Sequence, residues 1–199
     1  MSNLLVRADG VEYVTSYPTV DDGVRGVAFI ENVVTHSSYR GKGYATEKAA
    51  QLLVSMNCSS YVLNIGGNIR IIGTKKDGSG WKTGIKDPSG DTLYALYLEI
   101  SDTSCVTSGD YERYYTVEGT RYHHIIDKDT LMPATYFSSI TILAKDSGLA
   151  DALSTALFSM SYEDGRALVD SLEGVEAIWI YKDKTIVYTD GVNPINLES

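Results

Sequence analysis

Several short stretches carry side chains that do chemistry. In DALST, Asp151 and Thr155 stand four residues apart, which on a helix puts a carboxylate and a hydroxyl on one face. Both are hard oxygen donors, suited to Mg²⁺ or Ca²⁺ rather than zinc; from the spacing alone, an ordinary hydrogen-bonded pair on a helix surface is the favoured explanation. YHHIIDKDT places two of the three histidines, His123 and His124, side by side. Strand alternation sends neighbouring side chains to opposite faces, so the two do not readily share one metal. One ring is expected to face a site and the other to pack, and alternation alone does not say which.

Three further stretches are polar or glycine-rich. RGKGYA sets Gly41 and Gly43 around Lys42, just before a helical pattern. Backbone N–H groups in such a turn can approach an anion, which a helix N-terminus also favours. NIGGN carries the pair Gly66 and Gly67 before Asn68, either for close approach of a flat ligand or for a tight turn. TSGDYERYY gathers Thr107, Ser108, Asp110 and Arg113.

The elements that must position these residues follow from periodicity. TEKAAQLLVSM, from Thr46 to Met56, has Ala49, Ala50, Leu52 and Leu53 on one helical face. SGLADALSTALFSM repeats apolar residues at three and four, and YEDGRALVDSLE reads as a third helix. LLVRA, VEYVTSY, GVAFIENVVT, SYVLNIG, WKTGIKDP, TLYALYLEI, TSCVTS, YYTVEGTRYHHII and FSSITILA read as strands, and VEAIWIYKDKTIVYT as two strands around a KDK turn. GGNIRIIGTKKDGSG suggests a hairpin with DG at its tip, and the EG pair at 118 and 119 suggests another. Many strands with few helices and no βαβ repeat predict an α+β domain.

Composition narrows the function classes. Of 199 residues, 43% are hydrophobic and 22% charged, which is enough for a real core. Seventeen basic against 26 acidic residues give a net charge of -9, and no basic run interrupts it, so no nucleic-acid partner is expected. Cys58 and Cys105 have no metal or redox spacing. No apolar run is long enough for a transmembrane segment, and MSNLLVRADG is too polar for a signal peptide. Fifteen tyrosines against three phenylalanines offer rings with an apolar face and a polar tip, suited to planar ligands or to half-buried surfaces.

In order along the chain, KGYATEKAAQLL, NIGGNIRIIG, W-x-x-GIKDP, TSGDYERYY, YHHIIDKDT-x-x-PA and ADALSTALF resemble the signature series of the ApbE family, the FAD:protein FMN transferases, from Lys42 to Val187. The resemblance implies an ApbE-like, T-fold-like α+β fold: one domain over 1–199 with an antiparallel sheet and a few packed helices. It implies a Mg²⁺-dependent enzyme that moves FMN from FAD to a threonine of an acceptor flavoprotein and releases AMP. Asp151 and Thr155 match the family's metal ligands, together with the backbone carbonyl of Gly41. Lys42, Gly43 and Tyr44 fall in a segment that resembles the flavin pocket, as do Gly66, Gly67 and Asn68 and, further on, Ser108 and Arg113. The family implicates the histidine pair in activating the acceptor threonine, and His124 is favoured over His123.

The chain also departs from the family pattern. Residues 1–41 are a short, atypical N-terminal part, Gly41 stands where an alanine is usual, and Leu131 stands where glycine is usual. Family members are often extracytoplasmic and membrane-associated, yet no lipid-attachment cysteine lies near the start of this chain. A short N-terminal part leaves open a flavin-binding or FAD-hydrolysing domain without transferase activity. Residues 29–53, with Arg40, Gly43 and Ala45 between a strand and a helix, also resemble the acetyl-CoA segment of GNAT acetyltransferases. Oligomeric state is not legible.

Overall fold

The structure is a computed structural model that describes residues 2–8, 11–17, 29–35, 44–55 and 57–196, with side chains from residue 46 onward. Lys42, Gly43 and Gly41, and with them Arg40 of the acetyl-CoA resemblance, lie outside the described residues.

Three strands, β1 (Ser2–Ala8), β2 (Val11–Tyr17) and β3 (Phe29–Thr35), form an antiparallel sheet in chain order. Helix α1 (Tyr44–Ser55) follows. The central sheet is assembled from β4 (Tyr61–Ile65), β5 (Asn68–Ile72), β8 (Ser104–Gly109), β11 (Ser139–Ala144), β12 (Glu176–Ile180) and β13 (Ile186–Tyr188). Its order is β13-β12-β11-β8-β5-β4, with each neighbouring pair antiparallel. A second three-stranded sheet pairs β6 (Trp81–Lys86) with β7 (Tyr94–Ile100) and β7 with β14 (Pro194–Ile195). Strands β9 (Tyr114–Val117) and β10 (Thr120–His123) form a separate hairpin. Helices α2 (Ser147–Phe158) and α3 (Tyr162–Asp170) complete the α+β architecture.

Alternation along the central strands builds two cores. Val106, Ile140, Ile142, Ala177 and Trp179 face the helices and meet Ala150, Leu153, Leu157 and Phe158 of α2 and Val169 of α3. The intervening residues Cys105, Leu143, Ile178 and Ile180 face the other way and meet Ile85, Leu98 and Val192 of the second sheet. The central sheet is thus buried on both faces, which is why every residue of β11 is buried, the polar Ser139 and Thr141 included. Helix α1 covers the β4 end, where Ala49 and Ala50 pack on Leu63 and the Tyr61 hydroxyl donates to the Ala50 carbonyl at 2.8 Å.

One detail differs from the sequence expectation, and another decides between its alternatives. The KKDGSG turn is present, with Lys75 N–H bonding Ser79 O at 2.9 Å, but β5 and β6 are not a hairpin. The free edge of β5 is taken by β8, so β6 leaves to pair with β7 in the other sheet. At NIGGN, Ile65 pairs with Asn68 across a two-residue loop. Gly66 and Gly67 have φ of 61° and 91°, the left-handed values a type I′ hairpin turn requires. A Cβ there would meet nothing within 4 Å, so the turn accounts for the glycines and close packing does not. The EG turn between β9 and β10 follows the same pattern, with Glu118 at 48° and Gly119 at 81°.

Candidate active site

Helix α2 begins at its N-cap Asp146, whose carboxylate accepts from Leu149 N–H at 2.8 Å. From there Ser147, Asp151 and Thr155 recur every fourth residue and form one stripe. The helix-facing side of the sheet meets that stripe at both ends. Asn68, the first residue of β5, donates from Nδ2 to the Ser147 carbonyl at 3.3 Å. Ser108, near the end of β8, lies 2.8 Å from Ser154 Oγ and 3.3 Å from Thr155 Oγ1. Thr155 Oγ1 also reaches the Asp151 carbonyl at 3.3 Å. Asn68, Ser108, Asp151 and Thr155, which lie far apart in sequence, are therefore brought together, with Gly66 and Gly67 forming the turn beside Asn68.

The electrostatics of this stripe are unusual for a surface. Asp151 is half-buried, and burial raises its pKa above the ordinary carboxylate value. Among the described residues its carboxylate has no cation and no hydrogen-bond donor to offset that cost. Asn68 Oδ1 and Ser147 Oγ are likewise buried without partners. Unmet buried polar atoms are uncommon in folded proteins and call for an explanation. Every donor in the stripe is oxygen, the set a hard cation prefers. Among the described residues no group of three or more His, Cys, Asp or Glu side chains could hold a metal by itself, so any cation here would need ligands from main chain, water or substrate.

The two histidines separate cleanly. His123 is buried; its Nε2 lies 2.9 Å from the Ala134 carbonyl and its Nδ1 accepts from Ile125 N–H at 3.3 Å. A carbonyl can only accept, so Nε2 carries the proton and the ring is neutral, and burial lowers its pKa. With both nitrogens engaged, this ring has no atom free for substrate. His124 is exposed, and its Nδ1 lies 3.2 Å from the Arg113 carbonyl. By the same argument Nδ1 carries the proton, and Nε2 is left as an acceptor. His123 packs edge-on against Phe158 with ring centres 5.5 Å apart. Phe158 follows Asp151 by seven residues, about 10 Å along the helix, so α2 ties the histidine strand to the oxygen stripe.

The neighbouring acids are already committed. Asp110 is buried between Lys182 Nζ and Arg121 Nη1, the latter at 3.7 Å. Gly109 precedes it with no room for a side chain, since a Cβ would meet the Tyr111 ring at 2.6 Å. Asp127 Oδ1 accepts from the N–H groups of Thr130 and Asp129, which lowers its pKa. Neither acid touches the His124 ring. The Arg113 side chain is exposed, and its carbonyl is the atom that serves the site. For Tyr44, only the backbone, as the first residue of α1, is described. Sequence reasoning missed Ser147 and Ser154, although both sit at helical spacing from Asp151. It also missed Lys182, which reads as an ordinary turn residue and reaches Asp110 only through the fold.

An antiparallel sheet, an oxygen-lined helix stripe packed across its inner strands and an exposed, oriented imidazole just after the β9–β10 hairpin define a class of α+β domain with a candidate active site. The model of the ApbE family matches residues 38–179, and the chain belongs to the ApbE family. It is 40% identical over 161 residues to the FAD:protein FMN transferase of Treponema pallidum (strain Nichols), covering 76% of this chain and 44% of that protein. A FAD:protein FMN transferase of Klebsiella pneumoniae (strain 342) is 32% identical over 148 residues, covering 73% and 45%. Among solved structures, the ApbE protein of Thermotoga maritima superposes with a TM-score of 0.69 at 37% identity, over 82% of this chain and 54% of that one. The apo flavinyl transferase ApbE of Pseudomonas stutzeri gives 0.61 at 29% identity, over 79% and 49%. The chain spans less than half the length of these two curated relatives. The family match begins before the RGKG turn and takes in α1, and the acetyl-CoA reading of residues 29–53 gains no support from these comparisons.

Proposed function

We propose that this chain carries the transfer site of a flavin transferase, which moves FMN from FAD to a threonine hydroxyl of an acceptor flavoprotein. The observation that carries the reading is the assembly of Asn68, Ser108, Asp151 and Thr155 on one face of α2, in a chain similar to proteins named FAD:protein FMN transferase. In the reaction the threonine oxygen forms a bond to the FMN phosphorus, the phosphorus–oxygen bond to AMP breaks, and AMP leaves with the electron pair. The threonine proton passes to Nε2 of His124, the ring nitrogen left as an acceptor when Nδ1–H donates to the Arg113 carbonyl. Asn68 and Ser108, with the backbone of Gly66 and Gly67, line the flavin side. Lys42, Gly43, Tyr44 and Arg113 extend that pocket by family resemblance.

The Asp151 carboxylate, without a partner among the described residues, and the Thr155 hydroxyl would suit Mg²⁺, and the family resemblance adds the Gly41 carbonyl as a further ligand. When bound, the ion neutralises charge that grows on the pyrophosphate as the bond to AMP breaks. His123 does not take the proton in this reading; it supports the strand from the core. By the same family resemblance residues 1–199 are read as one ApbE-like domain with 1–41 an atypical N-terminal part, and the compartment as extracytoplasmic and membrane-associated.

Equilibrium binding of FAD with and without Mg²⁺, by flavin fluorescence, tests the site. Binding that strengthens with Mg²⁺ and loses that dependence in Asp151→Ala supports it. A domain that binds flavin without transferring it is the second reading. Tight FAD binding with no labelling of a threonine-bearing acceptor peptide would select that reading, and absence of FAD binding would sink both.

A further inference from the structure

We propose that Asp110 is a positioning residue of this site: it holds the turn whose Arg113 carbonyl fixes His124 in the tautomer that leaves Nε2 free. The inference deepens the reading of His124 as proton acceptor and rests on it for its functional meaning.

The hairpin that leads into His124 has little packing of its own. Every residue of β9 is exposed, and of β10 only His123 is buried. Apolar burial therefore does not hold its orientation, and specific polar contacts must. Asp110 supplies them. Its backbone N–H donates to Ser138 O at 3.0 Å, so the residue is anchored to the body of the sheet. Its carboxylate, with 10% of the side chain exposed, meets Arg121 of β10 on one side and Lys182 of the β12–β13 turn on the other. Arg121 in turn lies over the Tyr114 ring at 4.3 Å, which joins both strands of the hairpin to the clamp.

Three residues beyond Asp110 the chain reaches Arg113. Its carbonyl accepts from the backbone N–H of His124 at 3.2 Å and faces the ring Nδ1 at 3.2 Å. An imidazole free in water favours the tautomer with the proton on Nε2, which cannot act as a base there. The Arg113 carbonyl reverses that preference, in the way a third group orients the base of a catalytic pair. A carbonyl does so only while its turn is held still, and small misplacements of a base cost rate heavily.

Nitrogen NMR of the 199-residue chain with labelled histidine reads the tautomers directly at pH about 8, where the rings are neutral. His124 is assigned by the signal lost in His124→Gln, and His123, fixed by Ala134, is the internal control. The expected result is Nδ1–H on His124 in the unaltered chain and a majority of Nε2–H in Asp110→Asn, with His123 unchanged in both. The double variant Arg121→Gln, Lys182→Met should shift His124 in the same way, and it decides the matter if Asp110→Asn fails to fold. A wild-type His124 already protonated on Nε2, or a His124 unmoved in a folded variant, overturns the proposal. A flavin-transfer assay separates the two ideas: if the tautomer shifts but His124→Gln transfers at the normal rate, the positioning stands and the assignment of the base falls.

Discussion

The paired histidines show how much one hydrogen bond decides at the scale of a residue. His123 has its Nε2–H on Ala134 and its Nδ1 on Ile125, so His123→Gln leaves buried groups unmet and should cost about 1–3 kcal/mol. His124 is exposed with one bond, and His124→Gln should change stability by less than about 0.5 kcal/mol. Urea titration of both variants checks the contrast, and flavin transfer should fall about 10²–10⁴-fold for His124→Gln if that ring takes the proton. Asp151 runs the other way. Burial raises its pKa above the unfolded value, so the folded state carries a penalty that is fully present once pH is above both values. Asp151→Asn removes the charge and should raise Tm by up to about 3 °C at neutral pH, while Mg²⁺-dependent FAD binding is lost. A lower Tm would mean that the carboxylate has a stabilising partner.

Between residues 127 and 132 an element depends on one departure from the family pattern. Asp127 closes the turn, receiving Leu131 N–H on its carbonyl at 2.9 Å and donating its own N–H to Met132 O at 2.9 Å. That geometry puts Leu131 at φ 57°, where a side chain is strained and glycine is not. Leu131 is also 77% exposed, so its side chain returns little by packing. Leu131→Gly should therefore stabilise by about 0.5–1 kcal/mol, the relief of strain less the added chain entropy; a loss of stability in urea titration would show that the exposed leucine makes a contact worth more than the strain. Local signals of this kind were legible in advance: the EG turn, the three helices and the four-residue spacing of Asp151 and Thr155 all come from neighbours in sequence, whereas the GG pair suited a tight turn and a close ligand approach alike. Pairings across long separations were not. Nothing in NIRIIG says that its edge is claimed by Ser104–Gly109 instead of the following strand. Nothing in YHHII says which of two alternating faces is inside, because that depends on Phe158 and Ala134 arriving from elsewhere.

For the whole molecule, the same groups predict how stability follows pH. His123 is neutral in the fold with its pKa held down by burial, whereas an unfolded histidine takes a proton near pH 6.5. A group whose folded pKa is depressed contributes stability that is complete above the unfolded value and is lost as pH falls toward the folded one. Stability should thus begin to decline below about pH 6.5. A second decline should follow below about pH 4. There Asp87, held down by Ser89 and Thr92, and Asp127, held down by Thr130 and Asp129, together with Asp77 and Asp183 in similar turns, must give up their hydrogen bonds to protonate. Asp151 opposes this trend, since its raised pKa favours the protonated fold, and the net charge of -9 means that mild acid also relieves repulsion. The first decline is therefore the diagnostic one, because histidine is the side chain whose ordinary pKa falls in that window. Urea midpoints measured from pH 8 to 5 should fall in the unaltered chain and flatten in His123→Gln, which starts lower but has no buried imidazole to protonate. A decline that persists in the variant would mean that His123 is not held neutral by the core.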